Sequence, residues 1–415
     1  MKKVQIFLEY FSYTAHKWRF PPFIPIDKRT KRGYNKKAMN RIYLDHAATT
    51  PLDNEIFEKM RPYFTQDYGN ADSPHGLGRK AMNAVDEARD SLAAAIHAKP
   101  NEVYFTSGGT EADNWAVIGG ALAQSSKGRT HVVLSAIEHH AVLHAGEMLK
   151  KYGFDVTYLP VNKGGMVELN ALKSLLSENT ALVGIMAANN ETGCLQPIAE
   201  CAKLTHAYGA LFFTDAVQYA PYLPMDVKAW DVDLLSLSAH KFYGPKGAGA
   251  LYIKNGVKIE KLIGGGEQER GLRGGTTNVP AVVGLASAYL KNKATMSEVN
   301  TKLKTLRDVF MQTLSALDGV TFNGEEGLFG ILNVRFQGVL NTDLLYNLDL
   351  QGVCISVGSA CASASVKPSH VLLAMGLTEE ETRECVRFSF GKDNTEEEIV
   401  FAANKTVEIV RRLRG

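Results

Sequence analysis

Lys241 follows the apolar run Val232–Ser238, with only Ala239 and His240 between. An amine just past a buried strand loses water. Desolvation lowers a lysine pKa and makes the amine a nucleophile able to form a Schiff base. Asp215 ends a second apolar run, Ala210-Leu211-Phe212-Phe213-Thr214. An acid so placed needs a cationic or proton-donating partner. A pyridinium nitrogen is one such partner, and a lysine imine with an acid facing the ring nitrogen is the pattern of pyridoxal phosphate sites. Gln218 could reach the phenolic oxygen of the same ring. Taken singly, Lys241 reads better as a surface lysine starting a turn, and a helix-capping aspartate is a common explanation of Asp215.

Three further strand ends carry polar groups. Ser107-Gly108-Gly109-Thr110-Glu111 follows Val103–Thr106 and opens a helix, so its amides and hydroxyl can cradle a phosphate. Glu138-His139-His140 follows His131–Ser135, where His139 can stack on a ligand ring and move protons. Asn189-Asn190-Glu191 ends the run 181–187. Thr110, His139, Asn189, Asp215 and Lys241 thus share one edge, and ligands of open α/β sheets bind outside the carboxyl ends of the strands.

Two other features invite chemistry. Residues 356–365 are almost wholly small, which predicts an exposed, mobile loop, and Cys361 within it is placed as a nucleophile rather than a core cysteine. Arg387 sits in the apolar run Cys385–Phe390 and needs an anion, either a substrate carboxylate or a salt-bridge partner from a neighbouring domain.

The elements that must position these residues form an α/β rhythm. Strands are expected at 103–107, 131–135, 154–159, 181–187, 210–214, 232–238 and 249–253, mostly as continuous apolar runs suited to burial on both faces. Helices are expected at 110–123, 139–151 and 197–208. Beyond residue 290 the pattern changes to a long helix (294–317), strands at 330–336, 353–356 and 385–390, and helices near 342–350 and 395–413. This divides the chain into a large domain (55–290) and a smaller α+β domain (41–54 with 291–415).

The chain has 415 residues and a net charge of +2, but the first 40 residues carry +8 and the remainder −6. The mildly acidic body gives no argument for direct nucleic-acid binding. No run of about 18 apolar residues marks a membrane span. Five scattered cysteines without a CxxC suit a reducing cytoplasm, with no disulfide scaffold or resident metal site. Residues 1–40 lack a signal-peptide pattern, and Pro21, Pro22 and Pro25 break any amphipathic targeting helix. They are expected to be a disordered extension or the product of an upstream start codon, with Met39 the true start.

The chain also resembles a known family. Tyr43-Leu44-Asp45-His46-Ala47-Ala48-Thr49-Thr50, Tyr68-Gly69-Asn70, Thr106 to Asn114, Glu138-His139, Asn189-Asn190-Glu191, Asp215 to Gln218, Ser238-Ala239-His240-Lys241, Arg273-Gly274-Gly275-Thr276 and Gly358-Ser359-Ala360-Cys361 follow in order the motifs of NifS/IscS-type cysteine desulfurases, fold-type I pyridoxal phosphate enzymes of the class V aminotransferase superfamily. Val357, Ala239 and the Ala71-Asp72 pair depart from the usual residues without removing a catalytic group.

The resemblance implies a fold with a large, mainly parallel seven-stranded sheet domain and a smaller α+β domain. It implies pyridoxal 5'-phosphate held by Lys241, with Asp215 on the ring nitrogen, Gln218 on the phenolic oxygen and His139 stacked on the ring. Gly109, Thr110, Ser238 and His240 would bind the phosphate, and Thr276 would reach the phosphate of a partner subunit in a homodimer with shared sites. Asn189, also expected among the cofactor contacts, and Arg387 would hold the carboxylate of L-cysteine. Cys361 would take the sulfur as a persulfide and deliver it to an iron–sulfur scaffold or a tRNA-thiolation protein, and could itself ligate a nascent cluster. A selenocysteine lyase or another class V enzyme is the alternative activity, and a partner-binding sulfur-transfer scaffold the non-catalytic one.

Overall fold

Alternate residues of the central strands are apolar on both faces, and each face closes its own core. Val133, Val183, Phe212, Leu235 and Ala250 pack to one side. Val132, Leu182, Phe213, Leu234 and Leu251 pack to the other. Such strands cannot sit at a wet surface, so helices cover both faces. The computed structural model describes residues 41–324, 327–358 and 367–415. The expectations for residues 1–40 and for Cys361 lie outside the described residues.

In chain order the strands are β1 (Ile42–Tyr43), β2 (Val103–Thr106), β3 (His131–Ser135), β4 (Asp155–Leu159), β5 (Thr180–Gly184), β6 (Leu211–Asp215), β7 (Leu234–Ser238), β8 (Gly249–Ile253), β9 (Val320–Asn323), β10 (Ile331–Phe336), β11 (Val353–Cys354) and β12 (Cys385–Ser389). The main helices are α1 (Gly76–Ala95), α2 (Gly109–Asn114), α3 (His140–Lys151), α4 (Ile198–His206), α5 (Val279–Leu314), α6 (Asn341–Leu350), α7 (His370–Ala374) and α8 (Glu396–Arg414). A π turn, Trp115–Gly119, extends α2 into Gly120–Ser125.

Seven strands form one sheet in the order β2-β8-β7-β6-β5-β3-β4. β8 runs antiparallel to β2 and β7, and the other pairs are parallel. The expected mainly parallel seven-stranded sheet is present. In its register Asp215 lies beside Ser236. A second sheet orders β12-β10-β9, antiparallel throughout, and β1 pairs with β11.

Helix α5 differs from the expected 294–317: it is one 36-residue helix. Its first half, with Val282, Leu285 and Tyr289, packs in the core of the large sheet. Its second half, with Leu303, Leu306, Phe310 and Leu314, packs with Ile399, Ala403 and Val410 of α8 under the three-stranded sheet. α1 repeats small and apolar residues at helical spacing (Ala81, Ala84, Val85, Ala88, Leu92, Ala95), all buried. The His75 ring accepts from the Gly78 amide to cap it.

Candidate active site

The carboxyl ends of the parallel strands deliver their polar residues to one open cavity of about 270 Å³. Asp215 ends β6, and Lys241 lies in a single turn, Ala239–Lys241, directly after β7. His139 caps α3 and Gly109 opens α2. Gln218, Ser238, His240 and Arg387 complete the wall.

Lys241 Nζ donates to the carbonyl oxygens of Ala47 at 2.5 Å and Ala48 at 2.9 Å. Gln218 Nε2 donates to the same Ala47 oxygen at 2.8 Å. The segment after β1 therefore folds over the site and orients two of its side chains with backbone groups. His240 Nδ1 lies 3.0 Å from Thr49 Oγ1 of that segment. Burial, reinforced by the Lys241 charge, lowers both His139 and His240 to about 4, so both rings are neutral near pH 7. The His139 Nδ1 accepts from the Ala141 amide, which leaves the far nitrogen for a ligand.

Arg387 is buried, yet it faces the cavity. Its Nη2 donates to Asp45 Oδ1 and its Nη1 to the Asn190 carbonyl, each at 2.8 Å. Its Nε is buried with no hydrogen-bond partner among the described residues.

Where α2 begins, the backbone comes unusually close to itself. A Cβ on Gly249 of β8 would lie 2.5 Å from the Gly108 backbone. A Cβ on Gly109 would lie 2.9 Å from Val217 and enter the space beside Ser238. These glycines let the start of α2, with Thr110, line the same cavity as Ser238 and His240, a set of donors that could hold an anion. Glu111 fixes that helix start: its carboxylate accepts from the Ser107 amide and from the Arg273 guanidinium at 2.8 and 3.0 Å.

Three acids here are buried: Asp215 and Asp113, which line the cavity, and Glu138. Burial pushes Asp215 up to about 6, against the pull of the Val217 amide and the Lys241 ammonium. Burial, and secondly the Asp215 charge, hold Asp113 well above the usual carboxylate range. Burial raises Glu138 to about 8 although it accepts from Ser135 Oγ and the Met186 amide.

Two expected contacts are not in the cavity wall. Asn189 is fully buried. Its Nδ2 donates to Ile137 and its Oδ1 accepts from the Glu191 and Thr192 amides, so it shapes the turn, while Asn190 lines the cavity. Thr276 lines a neighbouring cavity with Ser107, Gly249 and Arg273. Of the other cysteines, Cys194, Cys201 and Cys385 are buried and Cys354 is half-buried. Burial lifts the Cys201 and Cys385 thiols to about 12, which suits core residues.

Sequence reasoning missed Asp113, Asp45 and the Ala47–Ala48 carbonyls. Asp113 and Asp45 lay inside the quoted motifs, and an acid on the apolar side of α2 was a readable signal.

A family model described as Aminotransferase class-V matches residues 42–400. The chain is 45% identical to the cysteine desulfurase IscS of Clostridium botulinum over 382 residues, 91% of this chain and 96% of that one. The chain belongs to the class-V aminotransferase family, among its IscS/NifS-like members. A solved NifS-like protein superimposes with a TM-score of 0.85 at 36% identity, covering 90% of this chain and 100% of that one. The solved structure described as SspA in complex with cysteine does so at 0.75 and 35% identity, covering 84% and 98%.

Family members of this kind depend on pyridoxal phosphate, and the donor set here fits it. A buried acid, a lysine and a cradle whose space a Cβ on Gly109 would enter all line one cavity. Among the described residues no helix is long and apolar enough to cross a membrane.

Proposed function

We propose that this chain is a pyridoxal phosphate-dependent cysteine desulfurase that converts L-cysteine to L-alanine. The observation that carries the reading is the convergence of Lys241, Asp215 and Arg387 on one cavity. Relatives bearing the name cysteine desulfurase support it.

When bound, the cofactor supplies an electron sink for the carbanion at the substrate Cα. Asp215 would pair with its ring nitrogen and Gln218 with its phenolic oxygen. Gly109, Thr110, Ser238 and His240 would hold its phosphate. Lys241 would attach it covalently and then carry the Cα proton, its reach limited by the Ala47 and Ala48 carbonyls. Neutral His139 can both stack on the ring and accept a proton. Arg387 would grip the substrate carboxylate, with Asp45 and the Asn190 carbonyl fixing the plane of its guanidinium and Asn189 holding that turn in place.

Cys361 would attack the substrate sulfur as a thiolate. The Cβ–S bond breaks, an S–S bond forms on Cys361, and the three-carbon fragment gains protons to become alanine. The persulfide then passes to an acceptor protein, an iron–sulfur scaffold or a tRNA-thiolation protein. We also read the enzyme as a cytoplasmic homodimer in which Thr276 reaches the phosphate of the partner subunit. In the same reading, residues 55–290 form the cofactor-binding domain, and 41–54 with 291–415 the smaller one.

The test is to incubate the full chain with pyridoxal phosphate, L-cysteine and a thiol reductant. Equal amounts of alanine and sulfide are expected, and no alanine overturns the reading. Cys361→Ala should keep the bound cofactor's visible absorption and lose persulfide formation. Unchanged turnover would remove Cys361 from the mechanism.

A further inference from the structure

Asp113 of α2, Ser236 of β7 and Asp215 of β6 are all buried; both acids line the cavity, and Ser236 contacts both of them. Ser236 Oγ stands 2.5 Å from Asp113 Oδ1 and 3.5 Å from Asp215 Oδ1. The β6–β7 register places Ser236 directly beside Asp215. One hydroxyl proton cannot serve two buried carboxylates, and two like charges so close in a dry site cannot both persist. One of the acids must hold a proton.

The surroundings decide which. Asp215 accepts from the Val217 amide at 2.8 Å and faces the Lys241 ammonium. Asp113 has the Ser236 hydroxyl and faces two further acids, Asp215 and Glu138. The charge is therefore better solvated on Asp215.

We infer that Asp113 is a positioning residue: it carries a proton, donates it to Ser236 Oγ, and so turns the serine hydroxyl toward Asp215, holding that carboxylate ionised and aimed at the cofactor ring nitrogen. The inference rests on the cofactor-binding reading above. It explains why a second acid is buried in the cavity wall beside Asp215: protonated, it is a neutral donor.

The experiment is spectrophotometric titration of pyridoxal phosphate onto the apo form of the full chain, as a function of pH. The charged groups that face Asp215 are Lys241 from the turn after β7, Asp113 from α2 and Glu138 from the loop after β3, with His139 near Lys241. Ser236→Ala should weaken cofactor affinity roughly tenfold or more, the loss expected when a charged acceptor loses a hydrogen bond. Asp113→Asn keeps a neutral donor, so its affinity should stay within about threefold of wild type and the acid limb of its binding profile should not move.

If Asp113 were the ionised member, Asp113→Asn would remove a negative neighbour and move that limb to lower pH, which overturns the assignment. Ser236→Ala binding as tightly as wild type overturns it as well. Should Ser236→Ala fail to fold, the Asp113→Asn profile decides alone. A wild-type chain that binds no cofactor would instead refute the cofactor reading itself.

Discussion

Asp45 and Arg387 form an ion pair of 2.8 Å between the segment after β1 and strand β12. The arginine is almost fully buried and lines the cavity, with Asp45 and the Asn190 carbonyl each holding one of its terminal nitrogens. A lysine in its place offers one compact charge, which cannot keep Asp45, the Asn190 carbonyl and a substrate carboxylate at once. Arg387→Lys should raise KM for L-cysteine roughly tenfold or more, the scale of one charged hydrogen bond. The change in kcat should be smaller, because the lost contact binds ground state and transition state alike. Steady-state kinetics check this; a lower kcat at unchanged KM would count against Arg387 as the carboxylate ligand.

Lys241 offers a sharper result. Its amine is anchored by the Ala47 and Ala48 carbonyls, and we assign it both covalent attachment and proton transfer. Lys241→Ala should abolish detectable alanine formation and remove the visible absorption of covalently held cofactor, while the fold is kept. The ultraviolet–visible spectrum and far-UV circular dichroism measure these together. An unaltered cofactor spectrum would refute the role.

Much of this arrangement was legible in the sequence, for identifiable reasons. Most of the strands β2 to β8 are continuous apolar runs, several of them ended by polar residues, so both the sheet and its functional edge could be read. The first half of α5 was missed because Val279–Tyr289 is apolar on nearly every side and lacks an exposed polar face. β9 is only four residues, three half-exposed and one exposed, with no period strong enough to read. The Ala47 and Ala48 carbonyls are backbone groups and leave no trace in residue type. The strand-end position of Asn189 suggests a place at the site edge, and the family resemblance implies a substrate contact, but side-chain direction at a turn depends on local hydrogen bonds that a sequence does not print. Asp113 was invisible as a partner of Asp215 because their contact runs through Ser236 of a third element.

Glu138 makes stability depend on pH. Its carboxyl is buried and raised to about 8, above the ordinary glutamate value. Between those values the folded state binds more protons than the unfolded state, so this residue's contribution is complete at low pH and is lost as pH rises toward about 8. Glu138→Gln keeps an acceptor for Ser135 Oγ and the Met186 amide but cannot ionise. The melting temperature of the apoprotein should therefore fall less between pH 6 and pH 9 in Glu138→Gln than in wild type. Equal falls in the two proteins would show that Glu138 is already ionised in the native state.

The closeness of β8 to the phosphate cradle can be tested by adding a single methyl group. At Gly249 a Cβ would meet the Gly108 backbone at 2.5 Å and the Leu237 carbonyl at 2.7 Å, and neither is the end of a flexible side chain. Either β8 separates from β7 or the loop before α2 moves outward. Gly249→Ala should thus cost about 1–3 kcal/mol of stability, as overpacking does, and should also weaken cofactor binding, because the displaced loop carries Gly109 and Thr110. Gly256 supplies the control. Its φ is +90°, but a Cβ there meets nothing within 4 Å. Gly256→Ala should cost about 1 kcal/mol through backbone strain and leave cofactor affinity unchanged. Denaturant unfolding and cofactor titration of both variants separate the two effects. If both variants bind cofactor equally well, the approach of β8 to Gly108 is structural and does not shape the cradle.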